Sequence, residues 1–189
     1  MQVLNMLNTK YVIINNPQTN QAIAQLNPEA YGPCWLVKGI KFVGNGKEEM
    51  RALDNTSLRD TAVVQIKFKN NITSNPIPDS TAKLNFIFNK NDSILYKSTA
   101  SSPQFGIFSE IYYDRGWNAY IDNKLTPIVK VNYALRGLSI PAGTHEIFFK
   151  FEPDSYRNGN IISLISTILI YLIIGGSLYW QWKKSSHAA

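Results

Sequence analysis

Residues 105–151 read FGIFSEIYYDRGWNAYIDNKLTPIVKVNYALRGLSIPAGTHEIFFKF, and this stretch decides the fold class of the protein. Runs rich in β-branched and aromatic residues cover residues 105–112, 117–121, 125–131, 135–140 and 144–151. Turn-forming residues separate them at positions 114–116, 122–123 and 141–143. Short strands at this spacing are typical of an antiparallel sandwich or barrel. The pattern therefore predicts a mainly β fold, an antiparallel β-sandwich of jelly-roll-like type.

The same pattern continues upstream of this stretch. Residues 61–69, 83–89 and 93–99 alternate apolar and polar side chains, residues 35–43 read as one half-buried strand, and residues 10–15 form a short β-branched run. Residues 16–33 and 70–79 contain the polar and proline-rich stretches that favour loops. Residues 47–53, KEEMRAL, are helix-forming residues with glutamates in the first turn, so a short helix is expected there.

A second kind of element follows the predicted sandwich. Residues 161–180 read IISLISTILIYLIIGGSLYW and contain no charge and no proline. At a rise of 1.5 Å per residue, about 20 residues cross a hydrocarbon core of ~30 Å. Tyr179, Trp180 and Trp182 cluster at one end, as aromatic residues do at a membrane interface. The sequence therefore predicts one C-terminal transmembrane α-helix over residues 160–182.

The charges that flank this helix predict its orientation. Lys183 and Lys184 follow it directly, so the positive-inside rule makes residues 183–189 a short cytoplasmic tail and residues 1–159 an extracytoplasmic, β-rich domain. The first residues have neither the basic region nor the apolar region of a signal peptide. We therefore expect the chain to be the C-terminal part of a longer membrane protein. An inverted orientation is the alternative.

The composition argues against several classes of function. The net charge of +6 comes from basic residues spread along the chain, which does not favour a nucleic-acid partner. Cys34, His145 and His187 lack the spacing of a metal site, and the glycines form no phosphate-binding or dinucleotide motif. We expect no metal, no cofactor and no nucleic acid.

Aromatic and basic residues concentrate between the predicted strands of the deciding stretch. Aromatic rings stack on sugar rings, and arginine holds phosphate groups through two hydrogen bonds. The alternative is that these rings are ordinary core and strand-surface residues. On the first interpretation, the candidate glycan-binding residues are Tyr112, Tyr113, Arg115, Trp117, Tyr120 and Arg136.

Carboxylates in the same region raise the question of catalysis. A pair chosen from Glu110, Asp114, Asp122 and Glu152 could perform acid–base chemistry on a sugar. Asp114 and Asp122 lie in predicted turns, however, where aspartate is favoured for its local hydrogen bonds. We therefore predict no catalytic residue in this chain.

An ordered set of short motifs resembles a known family. The set comprises residues 109–113 (SEIYY), 116–117 (GW), 120–122 (YID), 132–136 (NYALR), 141–145 (PAGTH) and 151–153 (FEP). In this order they resemble the C-terminal region of the YfhO-like bacterial membrane proteins. Residues 4–11, LNMLNTKY, resemble the point where that family's chain passes from its membrane core into this region.

The resemblance implies a polytopic protein similar to the GT-C class of glycosyltransferases, which use lipid-linked sugars. Family members are linked to the addition of sugars to cell-envelope polymers such as teichoic acids. GT-C-like enzymes carry their catalytic acidic residue in an early loop near the N-terminus, and nothing in this chain corresponds to that loop. No catalytic residue is therefore carried over.

The resemblance leads to two expectations about function. In the first, the domain is accessory to sugar transfer, and its partners are the membrane, a multi-helix N-terminal membrane core and a cell-envelope glycan or lipid-linked sugar. In the second, the domain is a structural lid or partner-docking module with no ligand of its own. An open aromatic groove would favour the first, and burial of Trp117, Tyr120 and Arg136 would favour the second.

Overall fold

The computed structural model of the chain describes residues 1–16, 18 and 21–186, with the backbone alone for residues 181–186. It divides into two units, Met1–Phe151 and Glu152–Ala189. The helices are α1 (Gln2–Met6), α2 (Gly46–Asp54) and α3 (Asp154–Ser186), with a 3₁₀ helix at Ile66–Asn71. The strands are β1 (Tyr11–Asn15), β2 (Ala22–Leu26), β3 (Cys34–Val37), β4 (Gly39–Val43), β5 (Thr61–Gln65), β6 (Lys83–Lys90), β7 (Ser93–Ala100), β8 (Gln104–Ile111), β9 (Trp117–Ile121), β10 (Lys124–Thr126), β11 (Val129–Val131), β12 (Leu135–Ile140) and β13 (Gly143–Phe151).

The first unit contains two large sheets and one separate hairpin. Five strands form an antiparallel sheet in the order β10-β9-β13-β7-β6, and six strands form a second sheet in the order β3-β8-β12-β11-β5-β4. Strands β1 and β2 pair with each other. The predicted mainly β, antiparallel fold with a short helix is confirmed, and β4–β5 is a parallel pair within it.

The six-stranded sheet curls until its two edges meet. Strands β3 and β4 lie at opposite ends of the strand order, yet Lys38 alone separates them in sequence. Val37 and Gly39 can therefore lie no more than about 7.6 Å apart, given 3.8 Å between successive Cα atoms. The outer strands of an open six-stranded sheet would lie about 24 Å apart at the usual strand spacing. The predicted single strand over residues 35–43 is thus a bent strand that pairs with β8 on one side of Lys38 and with β5 on the other.

This curvature creates two cores. One lies inside the curl and contains Trp35, Val37, Phe105 and Ile107, with Leu53 of α2 packed against them. The other lies between the two sheets and is formed by Ile94, Tyr96, Phe108, Ala119, Ile121, Leu138, Ile140, Ile147 and Phe149. Strand β12 is buried on both faces, because one face points into each core.

Gly137 in β12 makes close packing inside the curl possible. A Cβ atom at this position would lie 2.8 Å from the Phe105 ring and 2.7 Å from Val131. Such distances are well inside van der Waals contact, so any side chain here would displace the Phe105 ring.

Helix α2 confirms the predicted short helix. The Asn45 side chain accepts hydrogen bonds from the Lys47 and Glu48 amides, and Glu48 accepts one from the Gly44 amide. These reciprocal bonds satisfy amides that the first turn of a helix leaves unpaired.

Three other element predictions differ from the structure. The alternation over residues 61–69 predicted one strand, but β5 ends at Gln65 and the 3₁₀ helix Ile66–Asn71 follows it directly. Strand β2 lies within residues 16–33, which were predicted as loop, and it forms because β1 supplies a hairpin partner. Residues 125–131 were predicted as one strand, but Pro127 interrupts the run. The residues before it belong to β10 in the five-stranded sheet, and those after it belong to β11 in the six-stranded sheet.

Helix α3 has the length and composition of a membrane span. The candidate span is Asp154–Trp180, and none of its apolar window is buried by the protein. Hydroxyl groups along it are paired internally, since Ser166 donates to the Ile162 carbonyl at 2.9 Å and Thr167 donates to the Ser163 carbonyl at 2.8 Å. This pairing is what a hydrocarbon environment demands of polar groups. The helix continues to Ser186, within the predicted tail, and residues 187–189 lie outside the described part of the chain.

Candidate glycan-binding groove

The candidate residues gather at the end of the sandwich where β13 finishes, which we call the exit end. Phe151, the last residue of β13, pairs in register with Trp117, the first residue of β9. Arg136, near the start of β12, contacts Trp117 and donates a hydrogen bond from Nε to the carbonyl of Ile111, the last residue of β8, at 3.0 Å. The two sheets therefore bring the ends of four strands together here.

A groove opens at this end beside the β9–β10 hairpin. It has a volume of about 340 Å³ and is lined by Tyr112, Tyr113, Asp114, Trp117, Asn118, Ala119, Leu125, Thr126, Pro127 and Ile128. Its size falls in the lower range of small-molecule sites. Three of the six predicted residues, Tyr112, Tyr113 and Trp117, thus share one concave surface that also presents a carboxylate and an amide.

The Trp117 ring is held from behind by Arg136. The guanidinium carbon lies 4.3 Å from the centre of the Trp117 ring and 5.5 Å from the centre of the Phe149 ring. Arg136 is only 3% exposed, and its Nη1 has no hydrogen-bond partner among the described residues. Stacking of this kind fixes the orientation of an indole ring. Arg136 therefore positions Trp117, in contrast to the surface phosphate contact that the sequence suggested for it.

The other two candidates lie outside the groove lining. Tyr120 is half-buried, and the alternation of β9 places it on the opposite face of that strand from Trp117 and Ala119. Arg115 is exposed in the turn between Tyr113 and Trp117. The second wall of the groove, residues 125–128, was not anticipated, and its only sequence signal was the proline that interrupts the predicted strand.

The charged groups behind the groove are partly shielded from water. Burial raises the pKa of Glu110, and the nearby Arg136 guanidinium opposes that rise. Burial also raises the pKa of Tyr96, with Glu110 adding to the effect. Glu110 accepts a hydrogen bond from the Asn89 side chain at 3.2 Å. Glu110 and Arg136 are therefore close enough to influence each other's ionisation.

A second depression adjoins the groove. It has a volume of about 470 Å³, and Leu125, Thr126 and Pro127 line both depressions. Asp122 and His145 line the second one, and their side chains are 2.5 Å apart. The two depressions, which meet at residues 125–127, therefore form one elongated surface, as the binding of an extended ligand requires.

Both ring nitrogens of His145 and both carboxylate oxygens of Asp122 have hydrogen-bond partners. His145 Nδ1 faces Asp122 Oδ2, His145 Nε2 faces the Ala142 carbonyl at 3.0 Å, and Asp122 Oδ1 accepts from the Glu146 amide at 2.9 Å. Both ring nitrogens face acceptors, an arrangement that favours the protonated ring. The hydrogen bond to Asp122 raises the pKa of His145, and the same bond lowers the pKa of Asp122. A ring held in this way does not serve as a general base.

This pair predicts a pH dependence of stability. Because the folded pKa of His145 is raised, its contribution is complete below about pH 6.5 and is lost as the pH rises through the folded value. The contribution of Asp122, whose pKa is lowered, is present above about pH 3.9 and is lost on further acidification. We expect the melting temperature of the full chain in detergent to fall more between pH 6 and pH 8 than that of His145→Gln. If the melting temperatures of the two proteins fell equally with pH, this role of the Asp122–His145 pair would be contradicted. His187 is present in both proteins, so its contribution cancels in the difference.

The described residues contain no group of three or more His, Cys, Asp or Glu side chains that could hold a metal ion. The groups that the groove offers to a ligand are therefore its aromatic and polar side chains.

Comparison with known proteins places this geometry in a family context. The sequence model of the family described as "Bacterial membrane protein YfhO" matches residues 80–163. A Bacillus subtilis (strain 168) protein, named "Uncharacterized protein YfhO", is 30% identical over 120 residues. This chain is related to the YfhO membrane proteins. The resemblance seen in the sequence motifs is confirmed, and no solved structure gives a significant match.

The YfhO match contains the whole groove, because residues 112–128 lie within residues 80–163. The aligned region covers 62% of this chain but only 13% of the Bacillus subtilis YfhO protein. The relationship therefore concerns one part of a much larger membrane protein, and it includes the beginning of helix α3.

Proposed function

We propose that this chain forms an extracytoplasmic domain and a membrane helix of a YfhO-like membrane protein that transfers sugars onto cell-envelope polymers. In this proposal the domain is accessory, and it holds the acceptor glycan in the groove at the exit end. The catalytic residues and the remaining membrane helices belong to other parts of such a protein. The basic pair Lys183-Lys184 supports the proposed orientation.

The observation that carries this proposal is the aromatic groove itself. Trp117 and Tyr113 offer ring faces for stacking on a sugar, and Asp114 supplies a carboxylate for its hydroxyls. Arg136 holds the Trp117 ring in place, which reduces the entropy lost on binding. The adjoining depression gives room for a further sugar or phosphate unit of a polymer.

Binding to the full chain tests this function. The chain is placed in nanodiscs and titrated with teichoic-acid fragments while tryptophan fluorescence is followed. We expect saturable binding that Tyr113→Ala weakens roughly five- to tenfold, because a lost stacking contact costs about 1–1.4 kcal/mol. Tyr133→Ala is the matched control, since Tyr133 is also an exposed tyrosine but lies outside the groove lining. Equal affinities of the two variants would contradict the proposal.

A structural lid or docking module is the second candidate. The observation that favours it is the burial of Arg136 and the partial burial of Trp117 and Tyr120, which is what a purely structural role would require. This candidate predicts no glycan binding by the chain, with destabilisation by Trp117→Ala as the only consequence of changing the groove.

A further inference from the structure

The β1–β2 hairpin projects from the sandwich with an uncovered apolar face. The register pairs Tyr11 with Leu26 and Ile13 with Ala24, so these four residues share one face, which we call the outer face. All four are exposed, and Ile13 reaches 75% exposure. The opposite face, with Val12 and Ile14, borders a cavity of about 300 Å³, and Leu26 of the outer face also reaches the lining of this cavity.

The hairpin lacks the support that such an element needs in water. Among the described residues, β1 and β2 form a sheet of two strands with no third partner. An isolated two-stranded hairpin is marginally stable in water, and a contiguous exposed apolar patch marks a contact surface. The outer face therefore fits a partner that offers an apolar layer.

The hairpin is tied to the end of the domain from which the chain continues. The Ser109 hydroxyl, near the end of β8, donates a shared hydrogen bond to the carbonyls of Met6 and Gly32, at 3.0 and 2.7 Å. This bond holds α1 and the base of the hairpin at the exit end. The chain leaves the domain at this same end, after Phe151. Only Glu152 and Pro153 precede helix α3, and the three Cα–Cα steps between Phe151 and Asp154 span at most about 11 Å.

Charge favours a lipid surface as the occupant. Residues 1–28 contain no aspartate or glutamate, and their one charged side chain is Lys10 at the base of β1; the first carboxylate, Glu29, lines the cavity beside the hairpin. The Lys10 ammonium lies 5.7 Å from the centre of the Tyr11 ring. A tyrosine beside a lysine, flanked by aliphatic residues, is the composition found at the headgroup level of anionic membranes.

We propose that the outer face of the β1–β2 hairpin lies against the boundary between headgroups and acyl chains of an anionic bilayer, as a second membrane contact beside helix α3. The unpaired strand edges limit its depth, because backbone groups without partners are not tolerated in the hydrocarbon core. This contact is independent of the proposed glycan binding, since it shares no residue with the groove.

A fluorescent probe on the outer face tests this contact. Cys34 is replaced by serine, which keeps a donor for the Leu84 carbonyl, and Ile13→Cys is labelled with bimane. The full chain is placed, one copy per disc, in nanodiscs of equal parts phosphatidylglycerol and phosphatidylcholine with a shallow nitroxide on the acyl chains. We expect the probe at position 13 to lose most of its fluorescence. Adding Leu26→Asp should restore it, because a carboxylate resists burial in the anionic interface.

The matched control is the same probe at Ile77→Cys. Ile77 is 53% exposed, and its amide donates to the Pro103 carbonyl just before β8, at the opposite end of that strand from Ser109. Equal quenching at positions 13 and 77 would overturn the proposal. Equal quenching in pure phosphatidylcholine would overturn the preference for an anionic bilayer. A probe at position 13 that escapes quenching only in discs holding two copies would assign the outer face to a second copy of the chain instead.

Discussion

Replacing Phe108 with alanine is expected to lower the free energy of unfolding of the domain by ~3–5 kcal/mol, the usual cost of truncating a buried phenylalanine. The Phe108 ring is fully buried between the sheets, and its centre lies 4.7 Å from that of Tyr96 and 4.9 Å from that of Phe149. Both contacts have the edge-to-face geometry that aromatic rings prefer. Denaturant unfolding of the full chain in detergent, followed by near-ultraviolet circular dichroism, measures the loss.

Phe86→Ala is the matched control for this experiment. Phe86 contacts the same Tyr96 ring, at 5.7 Å, but is 42% exposed on β6. Its loss should cost roughly 1 kcal/mol, because more than two fifths of its surface stays in contact with water in the folded protein. If both variants lost the same stability, Phe108 would not be at the centre of the core between the sheets.

Replacing Glu49 with alanine is expected to cost about 3 kcal/mol, since two charge-assisted hydrogen bonds are lost and the Gln65 side chain stays buried without its partner. Glu49 is fully buried, and its carboxylate accepts from Gln65 Nε2 at 2.6 Å and from the Tyr133 amide at 2.8 Å. Tyr133 and the preceding Asn132 have φ values of 69° and 48°, so Glu49 holds a turn in a left-handed conformation that side chains rarely adopt. The same denaturant experiment measures this loss.

Glu146→Ala serves as the comparison for Glu49→Ala. Glu146 is an exposed glutamate on β13, and removing its side chain should change the unfolding free energy by no more than about 0.5 kcal/mol. A Glu49→Ala protein as stable as Glu146→Ala would mean that the β11–β12 turn does not depend on helix α2.

The sequence was informative where the controlling contacts are local. Strand alternation, the Asp122-Asn123 turn and the apolar run of α3 each depend on neighbours in sequence, and the structure confirms the mainly β fold and the apolar C-terminal helix. Tyr112, Tyr113 and Trp117 meet in one groove because only four residues lie between the first and the last of them. Their proximity follows from a single turn.

The features that the sequence did not predict depend on distant contacts. The bend at Lys38 arises because Lys38 and Gly39 donate their amides to the Asp60 carbonyl, and alternation over residues 35–43 contains no sign of that bond. Arg136 and Glu49 are charged residues, which are normally exposed, and their burial depends on partners brought in by other elements. The pairing of Asp122 with His145 likewise needs the register between β9 and β13.

The bent strand that joins the two ends of the six-stranded sheet has a consequence for self-association. In the described part of the chain its two halves, β3 and β4, are each paired on one side only, so the sheet offers a second copy of the chain no edge longer than four or five residues. In the five-stranded sheet the outer strands are β6, which has lysines at both ends and a bulge at Phe86/Phe88, and β10, which has only three residues. Such edges are poor templates for strand addition. The sandwich can therefore be crowded on a membrane without nucleating aggregates through its sheets.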